Sequence, residues 1–211
     1  MKHLFALMLL ALSLGASVAF AGPLETLMGS PFTHDGLFAK ASVGVGYASF
    51  ENTDGEETLI ADGFGMELHG KLGFYVIPDL VLHANMGFVM YSDFRESRYG
   101  IYLYVDHDFY VLSSVFVGAG ATYYVPISSW NNVFISGALG VTSYRLDCRR
   151  YSGNTGLKAF SFEIEAGKDW WVSEHIGLGL SLAFNSGDYW SDDDGVFRSS
   201  SIMLMFSVSF N

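Results

Sequence analysis

The sequence has one cysteine and four prolines in 211 residues. A lone cysteine, Cys148, cannot close an internal disulfide, so packing and hydrogen bonds must hold an exported form of the chain. Basic residues are scarce: 11 Lys and Arg stand against 22 Asp and Glu, a net charge of −11. That deficit argues against nucleic acid as a partner, and against simple electrostatic attraction to an anionic surface. Long apolar runs are missing beyond residue 21, so no stretch there can make a membrane helix of about 20 residues. What is plentiful is glycine (24), phenylalanine (18) and tyrosine (12), a composition suited to β-strands.

The one long apolar run is MKHLFALMLLALSLGASVAFA, residues 1–21. Lys2 gives it a basic start, Leu4 to Leu14 an apolar middle, and Ala19-Phe20-Ala21 a small-residue cleavage site. It reads as a secretory signal peptide cut after Ala21. No cysteine follows the run, which argues against a lipoprotein. Residues 22–35 read as a short periplasmic lead. Without Lys2 the remaining chain carries 10 basic and 22 acidic residues, a net charge of −12.

From residue 36 onward, large apolar side chains alternate with small or polar ones. The last strand shows this most clearly: Ile202, Leu204, Phe206, Val208 and Phe210 share one parity, and Ser201, Met203, Met205, Ser207 and Ser209 the other. Side chains on a strand point alternately to opposite faces. Similar stretches lie at about 36–50, 63–76, 80–91, 107–125, 133–144, 157–171 and 176–189. Ile77-Pro78-Asp79, Pro126–Asn132 and Val172–His175 separate some of them as turns. Residues 92–106 read as a long loop, because bacterial single-chain barrels have even strand numbers. That count gives eight strands; a further break would make ten.

The milder faces carry Lys40, Glu67, His69, Lys71, His83, Glu163 and Glu165 in mid-strand. On a lipid face each lysine would cost roughly 2–4 kcal/mol, and glutamate less. Inside a narrow barrel they can pair, and the glycines and serines beside them leave room for long side chains. Aromatic residues near strand ends, including Tyr47, Phe50, Phe74, Tyr91, Tyr124, Tyr144 and Trp170, resemble the girdles at bilayer interfaces. The expectation is an all-β fold, an antiparallel up-and-down transmembrane β-barrel with both ends periplasmic. The rival is a secreted lipocalin-like barrel or β-sandwich with the apolar face inward. Such a protein would carry an unusually glycine-rich surface.

Together with the leader, GLFAKASVGVGYASF, VFVGAGATYYV, VFISGALGVTSY, HIGLGLSLAF and SIMLMFSVSF resemble the small outer-membrane β-barrels of the OmpA/OmpX/OmpW type. The likeness spans nearly the whole chain after residue 21, as a pattern without a diagnostic motif. It implies a Gram-negative outer membrane, with its lipids and lipopolysaccharide as surroundings, a monomer, and insertion by the barrel-assembly machinery. In that family a terminal strand ending on phenylalanine is similar to the signal this machinery reads. Here Phe210 is penultimate and Asn211 last.

Three function classes stay open. One is a structural or surface-interaction barrel with a packed interior. The second is a narrow channel for small or hydrophobic solutes, porin-like or OmpW-like. The third is a lipid-modifying enzyme, which needs a nucleophile and base at the outer rim. No His-x-Ser pair supports it, so no catalytic residue, cofactor or metal is assigned. His69 and His83 lie on neighbouring strands and could meet, within an interior network of hydrogen bonds and ion pairs. Asp106-His107-Asp108 is a weak metal or acid–base cue. In the predicted outer loops, Arg145, Arg149 and Arg150 could contact lipopolysaccharide phosphates. Asp192, Asp193 and Asp194 could hold a cation, or simply form a tight turn.

Overall fold

The computed structural model describes residues 32–34, 36–54, 57–98, 101–103, 111–126, 132–148, 151–153, 158–191 and 195–210. The strands among them are β1 (Leu37–Asp54), β2 (Glu57–Ile77), β3 (Leu80–Arg98), β4 (Ile101–Leu103), β5 (Val111–Tyr124), β6 (Val133–Cys148), β7 (Tyr151–Gly153), β8 (Lys158–Trp171), β9 (Ile176–Ser191) and β10 (Gly195–Phe210). Eight of these build a wall in the order β1-β2-β3-β5-β6-β8-β9-β10, and β10 pairs back onto β1. Every pairing is antiparallel. The fold is a closed up-and-down β-barrel, and closure leaves no open sheet edge in the wall.

The alternating pattern sets this register. In β10, Leu204, Phe206 and Val208 stand opposite Val45, Val43 and Ala41 of β1, so apolar meets apolar on one face. A slip of one residue would turn each stripe to the wrong face. The last strand of the chain therefore closes the barrel against the first.

The short turns and both strand ends at 37 and 210 lie at one end of the barrel. Pro78-Asp79 joins β2 to β3, with Asp79 in the left-handed region at φ 66°. Aspartate tolerates this conformation because its side chain makes local hydrogen bonds. The last part of the predicted lead folds onto this end. The Phe32 amide donates to the Glu174 carbonyl (2.9 Å), and the Asp79 amide donates to the His34 carbonyl (3.2 Å). The His34 ring stacks on Tyr124 with centroids 3.9 Å apart and bonds the Asp79 carboxylate through Nδ1 (2.8 Å).

At the other end the strands outrun the sequence reading. β2 has 21 residues and β3 has 19, against the 9–11 or so that cross a bilayer. The first predicted loop is mostly ladder, with β1 and β2 paired as far as Asp54 and Glu57. The predicted loop 92–106 is partly strand: β3 continues to Arg98, and β4 folds back on Glu96–Arg98. Arg145 stands within β6, not in a loop, and β7 pairs with Leu146–Cys148. Backbone pairing needs no apolar stripe, so strands that rise above the membrane lose the alternation by which they were recognised. The predicted signal peptide, residues 1–21, lies outside the described residues.

Candidate functional site

The pleat sends every second side chain into the lumen. Lys40 of β1, Glu67, His69 and Lys71 of β2, His83 of β3, and Glu163 and Glu165 of β8 all point inward and are buried. Glu67, His69 and Lys71 are spaced by two, as are Glu163 and Glu165, so each strand presents its set on one face. In the wall β2 and β8 lie opposite one another, four strands apart either way.

Their side chains meet across the lumen. Lys71 bonds Glu165, and its Nζ lies 3.2 Å from a Glu163 oxygen and 3.1 Å from Ser136 Oγ. Lys40 donates to Asp169 (3.1 Å), stands 4.0 Å from Glu165, and packs 3.7 Å above the Phe134 ring. Tyr124 donates its hydroxyl to Asp169 (2.8 Å), and Ser181 donates to Glu165 (2.5 Å). His83 bridges Asn85 and Thr122, whose Oγ lies 2.9 Å from Nε2. Asn85 reaches Glu163 at 3.5 Å. Buried charges are tolerable only when paired and hydrogen-bonded, and each lysine here has at least two partners.

His69 and His83, which as residues of hairpin neighbours could meet, do not. The register puts His69 opposite Gly87 and His83 opposite Gly73, four residues apart along β3. That separates them by about 13 Å of strand. His69 instead faces Glu67 and Glu163, with Nδ1 3.6 and 3.5 Å from their oxygens.

Two aromatic layers enclose the network. Toward the short turns lie Phe38, Val81, Tyr124 and Phe134, all fully buried. Toward the long strands lie Phe50, Tyr91, Tyr144 and Phe197, with Phe50–Tyr91 and Tyr144–Phe197 ring centroids each 5.1 Å apart. Between this upper layer and the network sits a cavity of about 30 Å³, lined by Glu67, Phe50, Tyr91, Phe116, Tyr144 and several serines. It has room for one or two waters. Phe50, Tyr91, Tyr124 and Tyr144 therefore correct the predicted girdles: their parity sends them inside, whereas Tyr47, Phe74, Tyr123 and Trp170 face outward.

The lumen is closely filled where the network lies. A Cβ on Gly179 would fall 2.2 Å from both Asp169 Oδ1 and Ser207 Oγ. Gly179→Ala is expected to push the Asp169 carboxylate off Lys40 and Tyr124, at a cost of about 1–3 kcal/mol. A urea unfolding midpoint measured in lipid vesicles reads this directly. An unchanged midpoint would mean that Asp169 can move aside freely.

The outer wall is the reverse of a soluble protein's surface. Its exposed large side chains include Val45, Met66, Leu72, Met86, Val117, Leu139, Ile164, Leu182 and Phe206. Together they spread over all eight wall strands. Soluble monomers rarely expose apolar patches beyond a few hundred Å². The secreted lipocalin-like and sandwich alternatives fail here, since both need the apolar face inside. The chain has the fold of a small outer-membrane β-barrel.

No family model matches the chain, and no curated protein does. Among solved structures the chain is similar to neisserial surface protein A (16% identity, TM-score 0.49, covering 82% of this chain and 96% of that one). Another is the Yersinia pestis attachment invasion locus protein Ail in complex with the heparin analogue sucrose octasulfate (17% identity, TM-score 0.44, covering 82% and 99%). A third is the outer membrane protein OprG from Pseudomonas aeruginosa (12% identity, TM-score 0.41, covering 84% and 98%).

Asp169 and Tyr124 are members of the network that sequence reasoning missed. Asp169 was legible by parity, since it continues Glu163, Glu165 and Gly167 along β8. Tyr124 was hidden by its place at a strand end, where an aromatic suggests the interface. Of the predicted surface contacts, Arg145 is exposed on the outer face of β6. Arg149, Arg150, Asp192, Asp193, Asp194 and the Asp106–Asp108 run lie outside the described residues, as does the Cys148 side chain.

Proposed function

We propose that the protein is an integral outer-membrane barrel with a sealed lumen, whose role is structural or lies at its outer surface. The observation that carries this reading is the cross-lumen network of Lys40 and Lys71 with Glu163, Glu165 and Asp169, packed between two aromatic layers. A conducting path would have to pass paired charges whose separation leaves each one buried and alone. Export by a cleaved signal peptide and insertion by the barrel-assembly machinery belong to the same proposal. So do a monomeric state and contacts with lipopolysaccharide phosphates through Arg145, with Arg149 and Arg150 beside it in sequence.

Ion conductance in a planar lipid bilayer tests the sealed lumen. The folded state is checked by the difference in gel mobility between boiled and unboiled samples. Folded protein is expected to stay silent. Discrete, reproducible conductance steps would overturn the reading in favour of a narrow solute channel.

A further inference from the structure

The ionic network does not balance. Among the described lumen residues at its level, the fixed cations are Lys40 and Lys71, and the carboxylates are Glu67, Glu163, Glu165 and Asp169. The carboxylates outnumber the lysines by two. Glu163, Glu165 and Asp169 each contact a lysine, whereas Glu67 has no lysine within ion-pair distance among the described residues. A buried carboxylate without a cation beside it must take up a proton or bind a positive ion.

The geometry around His69 shows where that charge would sit. Glu67, His69 and Glu163 each offer a ligand atom, and these atoms lie within 4.8 Å of one another. Glu67 Oε1 and Glu163 Oε2 stand 3.6 and 3.5 Å from His69 Nδ1. Those separations are long for hydrogen bonds. They match the edge of a tetrahedron, since metal–ligand bonds of about 2.1 Å at tetrahedral angles place neighbouring ligands about 3.4 Å apart. A second observation is the state of Glu163 Oε2 itself, the one of these three atoms that is buried with no hydrogen-bond partner among the described residues. Glu163 is more than nine-tenths buried, and the far atoms of the other two side chains, Glu67 Oε2 and His69 Nε2, are buried and unpartnered as well. Buried polar atoms are rarely left so.

We infer that Glu67, His69 and Glu163 form a lumenal binding site for a divalent transition-metal ion, with Zn²⁺ the best fit. Two carboxylates and one imidazole supply three ligands, and a water would complete the set, as in other three-ligand zinc sites. The other Glu163 oxygen is already held by Lys71 (3.2 Å) and Asn85 (3.5 Å), the kind of outer contact that orients a ligating carboxylate. Imidazole favours zinc and its neighbours over Mg²⁺ and Ca²⁺, which prefer all-oxygen sites. The ion would tie β2 to β8 across the full width of the barrel. Glu67 and His69 stand two apart on β2, but Glu163 comes from the opposite wall, so no spacing along the chain signals the full set.

The test uses protein extracted from membranes, folded by the gel-mobility criterion, stripped with chelator and dialysed against Zn²⁺. One Zn²⁺ per chain is expected. His69→Gln and Glu67→Gln, neither of which removes a lysine's partner, are expected to bind about 100-fold more weakly or worse. Asp188→Asn, on the exposed outer wall, is expected to keep full binding. X-ray absorption on the zinc-loaded wild type needs no variant and is expected to show only nitrogen and oxygen ligands near 2.0–2.1 Å, roughly. Wild-type binding no tighter than that of folded His69→Gln would overturn the proposal. So would a sulfur ligand, which would point to Cys148.

Discussion

Replacing Lys71 with methionine is expected to destabilise the folded barrel by about 3–5 kcal/mol, the usual cost of removing one partner from a buried charge cluster. Lys71 is the cation shared by Glu163 and Glu165, and it also donates to Ser136. Methionine keeps most of the volume and the flexible stem, so the loss is chiefly electrostatic. Both carboxylates would then be buried with Lys40 alone nearby, 4.0 Å from Glu165 and 3.1 Å from Asp169. Urea unfolding in lipid vesicles, followed by tryptophan fluorescence, measures the change. Lys71→Met combined with Glu165→Gln is expected to recover part of the loss, because one orphaned charge goes with its partner. A midpoint that does not move in the single variant would mean that water fills the lumen and screens the carboxylates. That result would undo the sealed-lumen reading as well.

Leu139→Arg on the outer wall is expected to cost about 2–4 kcal/mol in a bilayer. Leu139 is 60% exposed in the isolated chain, and in a water-soluble protein such a position would tolerate arginine at almost no cost. It stands midway along the outward stripe of β6, between Ile135 and Val141, and opposite Ala119 and Phe162 of the neighbouring strands. The same unfolding assay reads the effect. A matched substitution at the loop end of the same face, Ser143→Arg, is expected to cost about 0–1 kcal/mol, since the penalty falls toward the interface. Equal stability for Leu139→Arg and wild type would mean that the apolar belt does not meet lipid.

The lumen and the belt were legible in the sequence for the same reason. A strand crossing a bilayer has one face in hydrocarbon, where charge is costly, and the pleat makes parity report the face. Lys40, Glu67, His69, Lys71, His83, Glu163 and Glu165 could therefore be placed inside by parity. The same rule, pressed further, would have placed Asp169, Phe50, Tyr91, Tyr124 and Tyr144 inside too. Those aromatics were read from their nearness to strand ends, where composition suggests an interface and parity says otherwise. The long-strand end was the least legible. Beyond the hydrocarbon the cost of charge on the outer face is gone, so β3 and β6 continue as hydrogen-bonded ladder without the alternation that marks a strand.

The sequence by itself determined that β-strands with one apolar face close on themselves, that charge lies inside, and that β10 meets β1. These follow from local alternation and from the cost of charge in lipid. Only the tertiary structure decided which charges meet. Lys71 finds Glu163 and Glu165, Lys40 finds Asp169, and His69 faces Glu67 and Glu163 instead of His83. Most of those encounters cross the lumen, from β1 or β2 to β8, where register, barrel width and side-chain length act together, and no spacing along the chain encodes a distance across a lumen.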